Sequence, residues 1–196
     1  MTPLSHMLET EFEIFPFCEC CYIESMLFIT ESALRSLDSA NLALKQMAEG
    51  TDNLNMGQTL NHLQNIIVQG AALSRYFWPV RKAHCKRGEI LRKAFNITNA
   101  SPLKSRDLRN EIEHFDEKLD SYLADGIVGI ILPHYIGPLR ESSGVPTHLF
   151  RAFYTDKAVF EILGKRFEIN PITEEIARIH TMLSQASSNG GRFTKY

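Results

Sequence analysis

Residues 101 to 126, SPLKSRDLRNEIEHFDEKLDSYLADG, decide how the rest of the chain is read. Leu108, Ile112, Phe115, Leu119 and Tyr122 advance by fours and threes, the spacing that gathers apolar side chains into one stripe of an α-helix. At about 100° per residue, Asn110, His114, Glu117 and Ser121 fall on the opposite side, with Asp107 and Lys118 beside them and Arg109 on the flank. Pro102 suits a first turn, where its missing N–H costs nothing, and Gly126 suits a left-handed stop. The expectation is one helix with a buried stripe and a polar face dense in chemistry.

Upstream, TEFEIF (10 to 15) alternates before Pro16 as a short edge strand or an extended arm would. From Phe17 the period becomes helical: Tyr22, Met26, Ile29, Ala33 and Leu37 share a face, and the segment runs to Glu49 before Gly50. Asp52 or Asn53 caps a second helix with Leu60, Leu63, Ile67, Ala71 and Ser74 as its stripe and small residues at 70 to 72 for close packing. Pro79 ends it, and RKAHCKRGEILRK (81 to 93) begins a third. That segment is the basic patch: Arg81, Lys82, Lys86, Arg87, Arg92 and Lys93 stand against a single Glu89, with Tyr76, Phe77 and Trp78 beside them. A phosphate-facing surface is one reading of such a run and a solvated helix face the other.

Downstream, IVGIIL (127 to 132) reads as a buried strand or short helix, and Pro133, Gly137, Pro138, Ser142, Ser143, Gly144 and Pro146 as a loop. Segments 148–154, 159–163 and 165–169 read as short strands broken by Thr155-Asp156-Lys157 and Gly164. Asn170 and Pro171 open a last helix carrying Ile172, Ile176, Ile179 and Leu183. The fold class is therefore mainly α: a bundle of four to five helices with a small C-terminal antiparallel hairpin or three-stranded appendage, the helical part with the Arg-Asn-x3-His run over 1–126 and the strand-rich part with the final helix over 127–183. Both share one core, and a mobile tail over 184–196 completes a single domain.

A chain of 196 residues, 44% of them hydrophobic, can bury one sizeable core. Its formal charge of −2 gives no global basic signal, so nucleic-acid contact would rest on a local patch. Cys18, Cys20 and Cys21 crowd together and Cys85 stands apart, which is poor spacing for a disulfide framework and fits a reducing cytoplasm. No zinc-finger spacing accompanies the cluster, so small buried thiols are expected there and no metal or other cofactor. Glu9, Glu11 and Glu13 do not read as a signal peptide, and 127–132 is too short to cross a bilayer. No membrane partner is expected. His62 reads as an interhelical hydrogen-bonder, His84 as a phosphate-binding aid and His134 as a cleft residue, while His148 and His180 show no metal spacing. Phosphate-cradling Gly loops, Ser nucleophile elbows and HExxH are absent from the sequence.

Within the central helix, Arg109-Asn110 followed by three residues and His114 resembles the Arg-x4-His signature of the HEPN (higher eukaryote and prokaryote nucleotide-binding) superfamily, in which a polar residue, often Asn, follows the Arg. The match covers six residues late in a helical bundle. The resemblance implies a HEPN-like bundle and a metal-independent endoribonuclease of the toxin–antitoxin or phage-defence kind, with an antitoxin or regulatory protein as partner. Arg109 would bind and polarise the scissile phosphate, His114 would act as acid or base, and Asn110 would orient one of them. Where some members carry a nucleotidylated tyrosine two residues after the His, this chain has Asp116, so that route of neutralisation is not expected.

The residue types suit this chemistry independently. Imidazole moves a proton near neutral pH, a guanidinium holds phosphate charge, and RNA brings its own nucleophile in the 2′-hydroxyl. Arg109 and His114 are five residues apart and point roughly 140° from one another around a straight helix, so a two-fold homodimer that pairs Arg109 of one copy with His114 of the other is expected. Against cleavage stand Asp107, Glu111, Glu113, Asp116 and Glu117, which repel an RNA backbone. Arg109–Glu113 and Asn110–His114 are also ordinary i,i+4 pairs of an exposed helix. The alternatives are therefore a catalytically silent nucleotide- or RNA-binding module using Arg109 with Arg81, Lys82, Lys86 and Arg87, and a helical dimerisation module.

Overall fold

The computed structural model describes residues 14–50, 55–105, 107–139 and 144–193, and for Leu108, Arg109 and Glu111 the backbone alone. Among the described residues the architecture is a helical bundle with one small four-stranded sheet.

The longest helix, α1 (Glu19–Ala48), buries Ile23, Met26, Leu27, Thr30, Ala33, Ser36 and Ala40. The small members of that row let α2 (Met56–Phe77) and α6 (Asn170–Ser188) approach along its length. Two polar side chains in the row are satisfied across helices: Thr30 meets His180 Nδ1 at 3.0 Å, and Ser36 accepts from Asn65 Nδ2 at 2.8 Å. Left unpaired, each such group would cost about 1–3 kcal/mol, so they favour one packing register over its neighbours. Gly70 of α2 lies where a Cβ would come within 3.3 Å of Ile172 Cγ2, so the small step expected at 70 to 72 does admit a neighbouring helix. On α6, Thr173, Ile176, Ile179, Leu183 and Ala186 face the core, and Ile176, Ile179 and Leu183 are almost wholly buried. Each is worth about 1.5–3 kcal/mol of burial.

Several element limits differ from expectation. The cap of α2 is Asn55, whose side chain accepts from the Gln58 N–H at 3.0 Å; Asp52 and Asn53 lie outside the described residues. Most of the 10–15 stretch also lies outside them, but Ile14 is buried in the core and Phe15 precedes a short 3-10 turn at Pro16–Cys18. The third helix begins as a 3-10 turn, Lys82–His84, and becomes α3 only at Cys85–Ala94. At the far end, α6 absorbs residues 184–188 of the expected tail. Beyond it Arg192 Nε and the Phe193 N–H both reach Glu19 Oε2, at 2.9 and 2.8 Å, and the Phe193 ring meets Phe95 edge to face.

The sheet corrects the antiparallel or three-stranded expectation. β1 (Ile130–Gly137), β2 (Thr147–Tyr154), β3 (Val159–Ile162) and β4 (Lys165–Glu168) lie in that order, with β1 parallel to β2 and the other pairs antiparallel. Pro133 and Gly137, expected in a loop, are strand residues. Proline is tolerated because β1 is an edge strand and a ring there interrupts no interior ladder. The pleat of β1 is irregular around it. The Ile130 N–H and the Gly137 carbonyl both turn toward the β2 side although they stand an odd number of positions apart, and Leu132 and Tyr135 share one apolar cluster. Between β3 and β4, Leu163 and Gly164 both take positive φ, 45° and 82°, the signature of the type I′ hairpin turn.

Candidate functional site

The stretch 101–126 is not one helix. A 3-10 turn at Pro102–Lys104 leads to α4 (Asp107–Glu113), and α5 (Phe115–Ala124) follows after a single residue, His114. His114 has φ −115° and ψ 34°, at the margin of the sparsely populated bridge region. The backbone ladder still passes through the kink: the His114 N–H donates to the Asn110 carbonyl at 3.1 Å, and the Lys118 N–H donates to the His114 carbonyl at 3.0 Å.

The two halves answer to different neighbours. α4 packs on α2, where Arg75 Nη2 donates to Glu113 Oε1 at 2.6 Å. α5 packs on the sheet: the Phe115 ring lies 3.8 Å under the Arg151 guanidinium, and Tyr122 meets His148 and Phe150 edge to face. Ile112, Phe115, Leu119 and Tyr122 line the core side as the stripe predicted, but they do so on two helices. His114 is the corner that serves both.

That corner is exposed. The His114 side chain is 54% accessible, and its Nδ1 stands 3.8 Å from Glu117 Oε2. Asn110 and Lys118, one turn to either side of it, open onto a groove of ≈ 480 Å³ whose other lining residues are Asp107, Lys165, Arg166 and Phe167. The groove thus brings the Asn110 stripe of α4–α5 against the β3–β4 turn and places three cationic residues opposite one carboxylate. Arg166 is fixed there by Glu161, whose Oε2 accepts from Arg166 Nε at 2.7 Å and from the Tyr154 hydroxyl at 3.0 Å. That hydrogen bond raises the Arg166 pKa, while burial and the Glu161 charge push the Tyr154 hydroxyl up to about 12.

The Arg109 side chain lies outside the described residues, so the groove is defined by its neighbours. Glu113, read as an i,i+4 partner of Arg109, is engaged by Arg75 from α2.

The basic residues of the 81–93 segment differ in exposure. Arg81 and Lys82 are exposed, whereas Lys86 and Arg87 are half-buried. Arg87 Nη2 donates to the Arg75 carbonyl at 2.9 Å with its guanidinium over the Tyr76 ring, closing the last turn of α2. Arg92 likewise donates to the Phe77 carbonyl. An open groove of ≈ 660 Å³ beside α3 is lined by Glu89, Arg92, Lys93, Asn96 and Ile97. It is larger than the first groove, and like that groove its lining includes no histidine.

The cationic lining that sequence reasoning missed is Lys165-Arg166 with Lys118. Its signal was a basic pair directly after Gly164, and only the fold carries that turn to α4. His148, which carries no metal spacing, sits in a hydrogen-bonded chain. Its Nε2 reaches the Val128 carbonyl at 3.2 Å, which requires Nε2–H in the neutral ring, and its Nδ1 then accepts from the Tyr122 hydroxyl at 2.8 Å. Burial, then the Glu161 charge, raises the Tyr122 pKa.

Among the described residues no helix is long and apolar enough to cross a membrane, and no group of three His, Cys, Asp or Glu is arranged to hold a metal ion. No protein-family model, no curated protein and no solved structure matches this chain.

Proposed function

We propose that this chain is a HEPN-type RNA-binding protein in which His114 promotes cleavage of an RNA phosphodiester, acting as a homodimer. The observation that carries the reading is the groove in which Asn110 and Lys118, flanking His114 by one turn each, face Lys165 and Arg166. Such a groove suits a phosphate: the cations balance its charge, and the Asn110 amide can hydrogen-bond a non-bridging oxygen. His114 lies between those two residues in sequence with an exposed imidazole, though it is not itself among the residues that line the groove.

The reaction needs no group beyond RNA and side chains. The 2′-oxygen forms a bond to the adjacent phosphorus as the bond to the 5′-oxygen breaks. A base takes the 2′-hydroxyl proton and an acid supplies one to the leaving oxygen. His114 fills one of these roles, and Arg109 stabilises the charge that develops on the phosphate. A second copy supplies the other half of the cleft, because the corner at His114 leaves Arg109 on the helix preceding it and a dimer can close the separation.

A catalytically silent RNA-binding module is the second reading, favoured by Glu117 at 3.8 Å from the His114 ring, where a carboxylate repels an incoming phosphate. Cleavage of purified RNA in EDTA by wild type and by His114→Ala separates the two. Fragments from wild type alone support the nuclease, while salt-sensitive binding without fragments supports the silent module.

A further inference from the structure

Cys20 and Cys21 lie in the first turn of α1, apart from the groove at His114. They are not the buried thiols that their small size led one to expect: both are exposed, and their sulfurs stand 4.0 Å apart. Their position is held from two directions. Cys20 Sγ donates to the Phe17 carbonyl at 3.6 Å, and the C-terminal segment passes so closely that a Cβ on Gly191 would come within 2.9 Å of the Cys20 Cβ. That segment is itself pinned, because Arg192 and Phe193 both bind Glu19, the residue before the thiol pair.

We infer that Cys20 and Cys21 form a chelating thiol pair for a soft, thiophilic cation of the Cu(I) class. Sulfurs 4.0 Å apart, each about 2.3 Å from a metal, subtend roughly 120° at it, which is a trigonal angle with a third position open to solvent or to a small thiol. Thiolates select soft cations over hard ones. A tetrahedral zinc site would need four ligands, and no three suitable side chains converge among the described residues, whereas Cu(I) is content with two or three. Each thiol gives up its proton as its sulfur–metal bond forms, so binding releases protons and strengthens as pH rises.

The test titrates the reduced full-length chain, under nitrogen, against Cu(I) held by a chromophoric chelator. Wild type and Cys85→Ser should each withdraw one equivalent, and Cys20→Ser and Cys21→Ser should each lose at least tenfold in affinity. Serine at an exposed helical position leaves the fold intact, and unchanged helical circular dichroism establishes that for each variant. The inference is overturned if no Cu(I) leaves the chelator, if Cys20→Ser binds as tightly as wild type, or if the bound equivalent disappears with Cys85.

Discussion

At the scale of single residues, two groups of side chains matter most. His114 is the corner between α4 and α5, and the residues around it were legible as a polar face because helical period alone places Asn110, His114 and Glu117 together. The corner was not legible. Nothing in the local sequence breaks a helix there, and the contacts on its two sides, Glu113 with Arg75 and Phe115 under Arg151, come from elements distant in sequence. The second group is Tyr154, Glu161 and Arg166, which anchors the cationic wall of the groove. The folded Tyr154 pKa of about 12 lies above its ordinary 10, so the native state holds a proton that the unfolded chain releases between those values. Stability from this group is therefore complete below pH 10 and is lost as pH rises toward 12. Urea midpoints of wild type should fall more steeply across that interval than those of Tyr154→Phe, and parallel curves would remove the tyrosine from the network.

Lys165 is the residue-scale test of the groove as an RNA surface. Lys165→Glu should weaken binding of single-stranded RNA at low salt. With one phosphate fewer neutralised, the slope of log affinity against log salt should also fall in magnitude by about 0.7. An unchanged slope in fluorescence anisotropy would place the RNA elsewhere, with the 81–93 segment as the next surface to alter.

At the scale of elements, helices are more legible in the sequence than strands. α1, α2 and α6 carry apolar residues at helical period over many turns, a signal that tertiary packing reinforces. β1 is hidden past Leu132 because Pro133 and Gly137 signal a loop locally, whereas an edge strand tolerates both. The end of α6 is hidden because Ser184, Ser187 and Ser188 look like tail residues, yet Ala186 is buried and Ser184 Oγ donates back to the His180 carbonyl. α3 offers an element-scale prediction. A Cβ on Gly88 would lie 2.7 Å from both the Phe77 carbonyl oxygen and Pro79 Cδ, so the α2–α3 junction depends on glycine at that position. Gly88→Ala gains helix propensity of about 1 kcal/mol but overpacks the junction against backbone, and should destabilise by about 1–3 kcal/mol net. Thermal unfolding should show a lower Tm; a raised Tm would mean that α3 can slide away from α2.

At the scale of the whole molecule, the sheet and the bundle share one core: Ile136, Phe153, Phe160 and Ile162 join the cluster that holds Ile23, Leu73 and Ile176. That continuity places Lys165 and Arg166 beside α4, and sequence could not provide it because the pairing depends on β1 lying parallel to β2, which no local pattern signals. Ile176→Ala, at the centre of the shared cluster, should cost about 2–5 kcal/mol in denaturant unfolding and loosen the groove with the core. Retention of RNA binding by a variant that unfolds early would separate the groove from the core. The proposed dimer also belongs at this scale. Light scattering at micromolar concentration should find twice the chain mass, and a strictly monomeric chain would leave each His114 without an Arg109 from a second copy.

The most direct measurement is cleavage of total RNA and purified tRNA, in EDTA, by the wild-type chain and by His114→Ala. Discrete fragments are expected from wild type and none from His114→Ala, with folding and dimer mass unchanged in the variant. Equal fragments from both, or none from a wild-type chain that binds the same RNA, would contradict a catalytic role for His114.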